Sequence, residues 1–167
     1  RVSCERVFMP WGDLEKELRA RDLPLVSLED ARPLCDFDVV GFSLQYELTY
    51  TNLIAMLDLG RIPRRAELRR ETDPIVIAGG PTAVHCEPIS PFIDLVLLGD
   101  GEESLTEFLE MLRDLKKKNN SRHEKIEALS NMPFVWNPNN EARIFDYHSE
   151  RFITKEEKTK ASWAKIK

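Results

Sequence analysis

"DPIVIAGGPTAVHCEP", residues 73–88, decides how the rest of the chain reads. Four apolar residues, Ile75 to Ala78, run without interruption into Gly79, Gly80 and Pro81. A continuous apolar run bounded by turn residues is how a strand looks when both faces of its sheet are covered, as in a parallel sheet. Two glycines at its end mean either a tight turn or a backbone that something approaches closely.

Working outward, the same grammar repeats. "DVVGFSL" (38–44) and "LVLL" (95–98) are two more apolar runs that end near glycine or a small polar residue. "ERVFMP" (5–10) reads as a further strand, stopped by Pro10. Between them lie helical patterns. In 12–22, Trp11, Leu14 and Leu18 share a face, with Asp13 and Glu15 in the first turn. From Tyr46 onward Tyr50, Leu53, Ile54 and Leu57 form a stripe that Gly60 is placed to stop. Residues 101–118 carry Leu105, Phe108, Leu109, Leu112 and Leu115 on one side, Glu102 and Glu103 at the start and three lysines at the end. Residues 122–130 read as a short helix.

Alternation of strand and helix predicts an α/β domain: three layers, a mostly parallel sheet with helices on both faces, and right-handed crossovers. After Met132 the pattern changes. "FVW" and "ARIFDY", separated by "NPNNE", suggest a hairpin, and the chain beyond Arg151 reads as a helix or loose tail. The expected division is an α/β domain over 1–132 and an extension or linker over 133–167.

The chain has 167 residues, 42% of them hydrophobic and 32% charged, which suits one globular domain with a sizeable core. No apolar run approaches the roughly 20 residues that span a bilayer, and no secretory signal is present. Cys4, Cys35 and Cys86 show no metal or cluster spacing and read as reduced thiols of a cytoplasmic protein. The net charge is −5, yet the last 17 residues are basic, so the body is distinctly acidic. An acidic body argues against a nucleic-acid platform.

In an open α/β sheet, ligands bind beyond the carboxyl ends of the strands. The loops there are "GFSLQYE", "AGGPTA" and "LGDGEE". Each has a plain structural reading as well. Gly-Gly can be only a turn, and Asp100 with Glu103 fits a capping box. GxxxxGK[ST] and GxGxxG are absent, and the acidic "GDGEE" suits a neutral or cationic ligand portion rather than phosphate. His85 follows the glycines and could line a pocket; His123 reads as a solvated helix residue. His148 sits in "DYHSER", where Arg151 replaces the glycine of Asp-x-His-x-x-Gly, and is read as coincidence. No catalytic Ser-His-Asp or Cys-His set is evident.

Taken together, "DVVGFSLQYELTYTN", "IVIAGGPTAVHCEPI" and "DLVLLGDGEE" resemble, in that order, the cobalamin-binding-type domain that precedes the barrel of many radical S-adenosylmethionine proteins. Within these the chain is similar to a family in which "CERVFMPW" and "GFSLQYELTYTNLIAMLDL" look like signature stretches. The resemblance covers about residues 2–137. It implies a flavodoxin-like or Rossmann-like fold. It also implies an accessory role: holding a cofactor or substrate beside a catalytic barrel, or serving as a non-catalytic interaction module with a vestigial pocket. Carried over by position, the cofactor-binding residues are Ser43, Leu44, Gln45, Gly79, Gly80, Pro81, Thr82, Gly99, Asp100, Gly101 and Glu102.

Two departures shape the expectation. The histidine that can ligate cobalt from below is missing, and the strand-helix unit bearing it is expected upstream of Arg1. Weak or absent cobalamin binding by this chain is therefore expected. CxxxCxxC is absent, so the 4Fe-4S cluster and S-adenosylmethionine belong to the parent protein, whose barrel is the expected partner. Without its first strand the sheet would present an unpaired edge. Either residues 134–136 and 143–147 fold back to fill it, or, as is favoured, the chain forms a homo-oligomer.

Overall fold

The computed structural model describes residues 2–139 and the backbone of Ile144–Asp146 and Arg151–Ile153. Four strands form the main sheet in the order β1-β2-β3-β4: β1 (Val39–Ser43), β2 (Ile75–Gly79), β3 (Leu95–Leu97) and β4 (Val135–Trp136). β1, β2 and β3 are parallel; β4 adds antiparallel on the far side of β3. This is the α/β architecture expected of the apolar runs, of flavodoxin-like or Rossmann-like type.

Alternation along each strand feeds two cores. Val40, Val76, Ala78 and Val96 face one side, where α2 (Tyr50–Leu59) supplies Leu53, Met56 and Leu57. Ile75, Ile77, Leu95 and Leu97 face the other, where α3 (Gly101–Lys117) contributes Phe108 and Leu112 and α4 (Arg122–Ser130) contributes Leu129. All of β2 but its last residue is buried, which explains why its sequence shows no alternation. Each large aliphatic or aromatic side chain so buried stabilises the fold by about 1.5–3 kcal/mol.

α4 is anchored by a capping box. The Ser121 hydroxyl accepts from the Glu124 backbone N–H, and the Glu124 carboxylate accepts from that of Ser121. α2 ends differently from the sequence expectation. Gly60 has φ −78° and does not adopt the left-handed form; Arg61, at φ 58°, does. Glycine is needed at 60 for space, because a Cβ there would stand 2.9 Å from the Leu34 Cβ and the Met56 carbonyl oxygen.

The strand expected at 5–10 does not form. Val7 and Met9 lean on the core while Phe8 points outward, so the alternation is real. Among the described residues no strand lies alongside to make a ladder; instead Leu28 N–H donates to the Arg6 carbonyl and Glu29 binds Arg6. Helix α1 (Gly12–Ala20) follows as expected, but of its predicted apolar face only Leu18 meets the core. Trp11 is 87% exposed and Leu14 is exposed as well.

Residues 134–136 return to the sheet beside β3, not beside β1, which remains an edge strand. The hairpin expected between "FVW" and "ARIFDY" is also re-paired: β5 (Ile144–Asp146) pairs antiparallel with β6 (Arg151–Ile153). The remainder of the tail, including His148, lies outside the described residues.

Candidate functional site at the carboxyl edge

β1 and β2 are in register from Val39–Ile75 to Ser43–Gly79, so Ser43 and Gly79 end side by side. β3 runs the same way and leads through Gly99 into α3, which opens at Gly101. The three predicted loops therefore converge on one edge of the sheet.

What approaches the Gly79-Gly80 backbone is the chain itself. Leu44 N–H donates to the Gly79 carbonyl at 2.7 Å. The Leu44 carbonyl accepts from the Thr82 N–H at 3.1 Å and from the Thr82 hydroxyl at 3.0 Å. Gly80 has φ +103°, and a Cβ there would stand 3.0 Å from the Leu44 carbonyl oxygen. Glycine at 80 thus satisfies a left-handed backbone and a close crossing of two loops together. The Tyr50 hydroxyl ties the same loop from below, donating to the carbonyls of Thr82 and His85 at 3.3 and 3.1 Å.

The other carried-over residues are arranged more openly. Ser43 and Gln45 are exposed, with the Gln45 amide donating to the Ser43 hydroxyl at 2.7 Å. Gly99 has φ +86°, and a side chain at either Gly99 or Gly101 would meet open space. Asp100 takes the N-cap position of α3 with an extended backbone, but its carboxylate makes no capping bond, so the capping box expected with Glu103 is not formed. Asp100, Glu102 and Glu103 are exposed, as is Pro81. Tyr46 and Leu48 in the loop after β1 are 55% and 82% exposed, and Leu105 in the first turns of α3 is also exposed.

Among the described residues, no group of three or more His, Cys, Asp or Glu side chains is placed to hold a metal ion. No helix there is long and apolar enough to cross a membrane. Cys86 is fully buried, and burial, with Glu87 nearby, pushes its thiol up to about 12, so it is no nucleophile at neutral pH.

Sequence reasoning missed a charged cluster at the opposite edge. Buried Asp94 accepts from Arg69 at 2.8 Å, from Arg122 at 2.7 Å and from the Val76 N–H at 2.8 Å. An aspartate directly before the apolar run "LVLL" was the available signal; the arginines were hidden in charged stretches.

An open, mostly parallel sheet, helices on both faces and a glycine-marked loop cluster at the strand ends define a flavodoxin-like or Rossmann-like α/β domain. Comparison with known families is more specific. The chain belongs to the family described as "Radical SAM proteins, N-terminal", whose model matches residues 1–138. No curated protein matches the chain, and no solved structure does.

Proposed function

We propose that the chain is an accessory domain of a radical S-adenosylmethionine protein, and that the carboxyl edge of its sheet faces the catalytic, iron–sulfur-bearing part. The family match over residues 1–138 carries this reading. The edge supports it. Tyr46, Leu48, Pro81 and Leu105 expose apolar surface in the loops and first helical turns at this edge, and Gly99 and Gly101 there face open space; apolar surface is what an interface core is made of.

Of the two roles expected from the sequence, packing on the catalytic part has the more support. The nucleotide tail of cobalamin would need the groups at Leu44, Gly80 and Thr82. In this chain the Leu44 N–H and carbonyl and the Thr82 N–H and hydroxyl bond to the chain itself, and Leu44 fills the space above Gly80. These residues do not suit that cofactor. The stretch Gly99–Glu102, open and acidic, suits a neutral or cationic group of a substrate or of the neighbouring domain.

The test is association with the catalytic portion of the parent protein, supplied as a separate polypeptide and followed by calorimetry. Leu48→Asp is expected to weaken binding at least about tenfold, since burying an unpaired carboxylate at an interface is costly. Leu68→Asp, an exposed position before β2 and next to Arg69 of the amino-edge network, should leave binding unchanged. The opposite pattern would move the interface off this edge. Titration with hydroxocobalamin is expected to leave the visible spectrum of the cofactor essentially unaltered; tight one-to-one binding would restore the cofactor-holding role.

A further inference from the structure

β1 is a border of the main sheet, and its ladder fixes which way its backbone groups point. Ile75 N–H donates to the Asp38 carbonyl at 3.0 Å and Leu44 N–H to the Gly79 carbonyl at 2.7 Å. Between them Val39 to Ser43 run in unbroken parallel register with β2. In a parallel ladder, alternate residues of a strand direct both N–H and C=O to one side. The even-numbered residues of β1 therefore serve β2, while Val39, Gly41 and Ser43 turn their backbone groups outward. Among the described residues those outward groups meet no partner.

Sheet borders are normally blunted by charge, proline, a bulge or shortness. None of these protects β1. Its sequence, VVGFS, is uncharged and free of proline, it pairs without a bulge, and it is five residues long. The other border, β4, is only two residues long. The internal cover expected from the sequence goes elsewhere: β4 pairs with β3, and β5 pairs with β6. Asp38, just before β1, is paired with Lys116 at 2.6 Å, so it adds no uncompensated charge to the border.

The outward pattern is complementary to itself. Laid antiparallel about a two-fold axis at Gly41, two copies of β1 place Gly41 opposite Gly41 and Val39 opposite Ser43. Each of these is then a hydrogen-bonded pair, so every outward N–H meets an outward C=O. Gly41 is exposed and has no side chain to hold the strands apart at the axis. The intervening pairs set Val40 against Phe42 of the second copy, a β-branched residue beside an aromatic one, which is a favourable cross-strand pair. A two-fold contact of this kind uses the same surface on both copies and closes at a dimer.

We propose that the β1 border is covered by a second copy of this chain, paired antiparallel through Val39, Gly41 and Ser43 about a two-fold axis at Gly41. The pairing concerns the side of β1 and not the carboxyl edge, and its failure would leave the proposed function untouched.

Sedimentation velocity of the 167-residue chain across a concentration series is expected to show a monomer–dimer equilibrium and no larger species. Amide exchange at Val39, Gly41 and Ser43 should slow as concentration rises, while Val40 and Phe42, already bonded to β2, change less. Charge then tests the register. A Cβ at Gly41 would meet only the Ile77 side chain, at 3.5 Å, an ordinary contact, so a longer residue fits the monomer. Gly41→Lys sets like charges face to face at the axis and should weaken dimerisation at least about tenfold. Gly41→Glu should do the same, and mixing the two variants should restore pairing. A chain that stays monomeric at every concentration overturns the proposal. So does protection of the three amides that is independent of concentration, because the border would then be filled from within one chain. Equal dimerisation of Gly41→Lys and the wild type, or a mixture of the two variants that does not pair, overturns the register.

Discussion

Gly80 and Gly99 both have positive φ, but they differ in what surrounds them. At Gly80 a new Cβ meets the Leu44 carbonyl oxygen at 3.0 Å and its nitrogen at 3.2 Å, both backbone atoms that cannot swing aside. At Gly99 it meets nothing within 4 Å. Gly99→Ala should cost about 1–2 kcal/mol of conformational strain. Gly80→Ala should cost more, because the loop crossing must also open. Paired thermal unfolding of the two variants checks this, and equal losses would mean the Leu44 crossing is unimportant. Cys86 gives a second prediction. Its thiol pKa is raised in the folded chain, so the folded state keeps a proton that the unfolded state releases near pH 9. The stabilisation is complete below that pH and is lost as pH rises toward about 12, at about 1.4 kcal/mol per pH unit. Urea unfolding from pH 7 to 11 should show a steeper alkaline loss in the wild type than in Cys86→Ala. Parallel curves would contradict the assignment.

Where elements meet, Asp94 is the joint. It precedes β3, bonds to the β2 backbone at Val76 and receives an arginine from the loop before β2 and another from α4. Asp94→Asn would leave two buried guanidiniums without a counter-charge, and a loss of about 3–5 kcal/mol is expected. A chemical denaturation midpoint that barely moves would show the network to be dispensable. Much at this scale was legible in the sequence. β2 and β3 announce themselves because burial on both faces leaves uninterrupted apolar runs, and α3 because its charges match its ends. What stayed hidden depends on partners remote in sequence. Residues 5–10 have strand alternation, but alternation reports burial, and only a neighbour makes a ladder. The partner of "FVW" is β3, which no local pattern specifies. Gly80 flagged a close approach correctly, yet nothing near it named Leu44 as the group that approaches. Asp100 and Glu103 have the right spacing for a capping box, while the box that forms is at Ser121 and Glu124, where the hydroxyl reaches the amide.

Across the whole molecule, the two edges of one sheet differ in kind. The carboxyl edge is glycine-marked, partly apolar and acidic, and is read as the face toward the catalytic part of a radical S-adenosylmethionine protein. The amino edge is held by the Asp94 network. β1 stands at the border of the sheet with β2 as its neighbour, and its Gly41 and Ser43 are exposed. The most direct test is amide hydrogen exchange of the chain, alone and mixed with the catalytic portion of the parent protein. Added protection in residues 44–48, 80–84 and 98–105, with residues 70–74 unaffected, is the predicted result. Protection confined to residues 70–74, or none at the carboxyl-edge loops under conditions where the two polypeptides associate, would contradict the account.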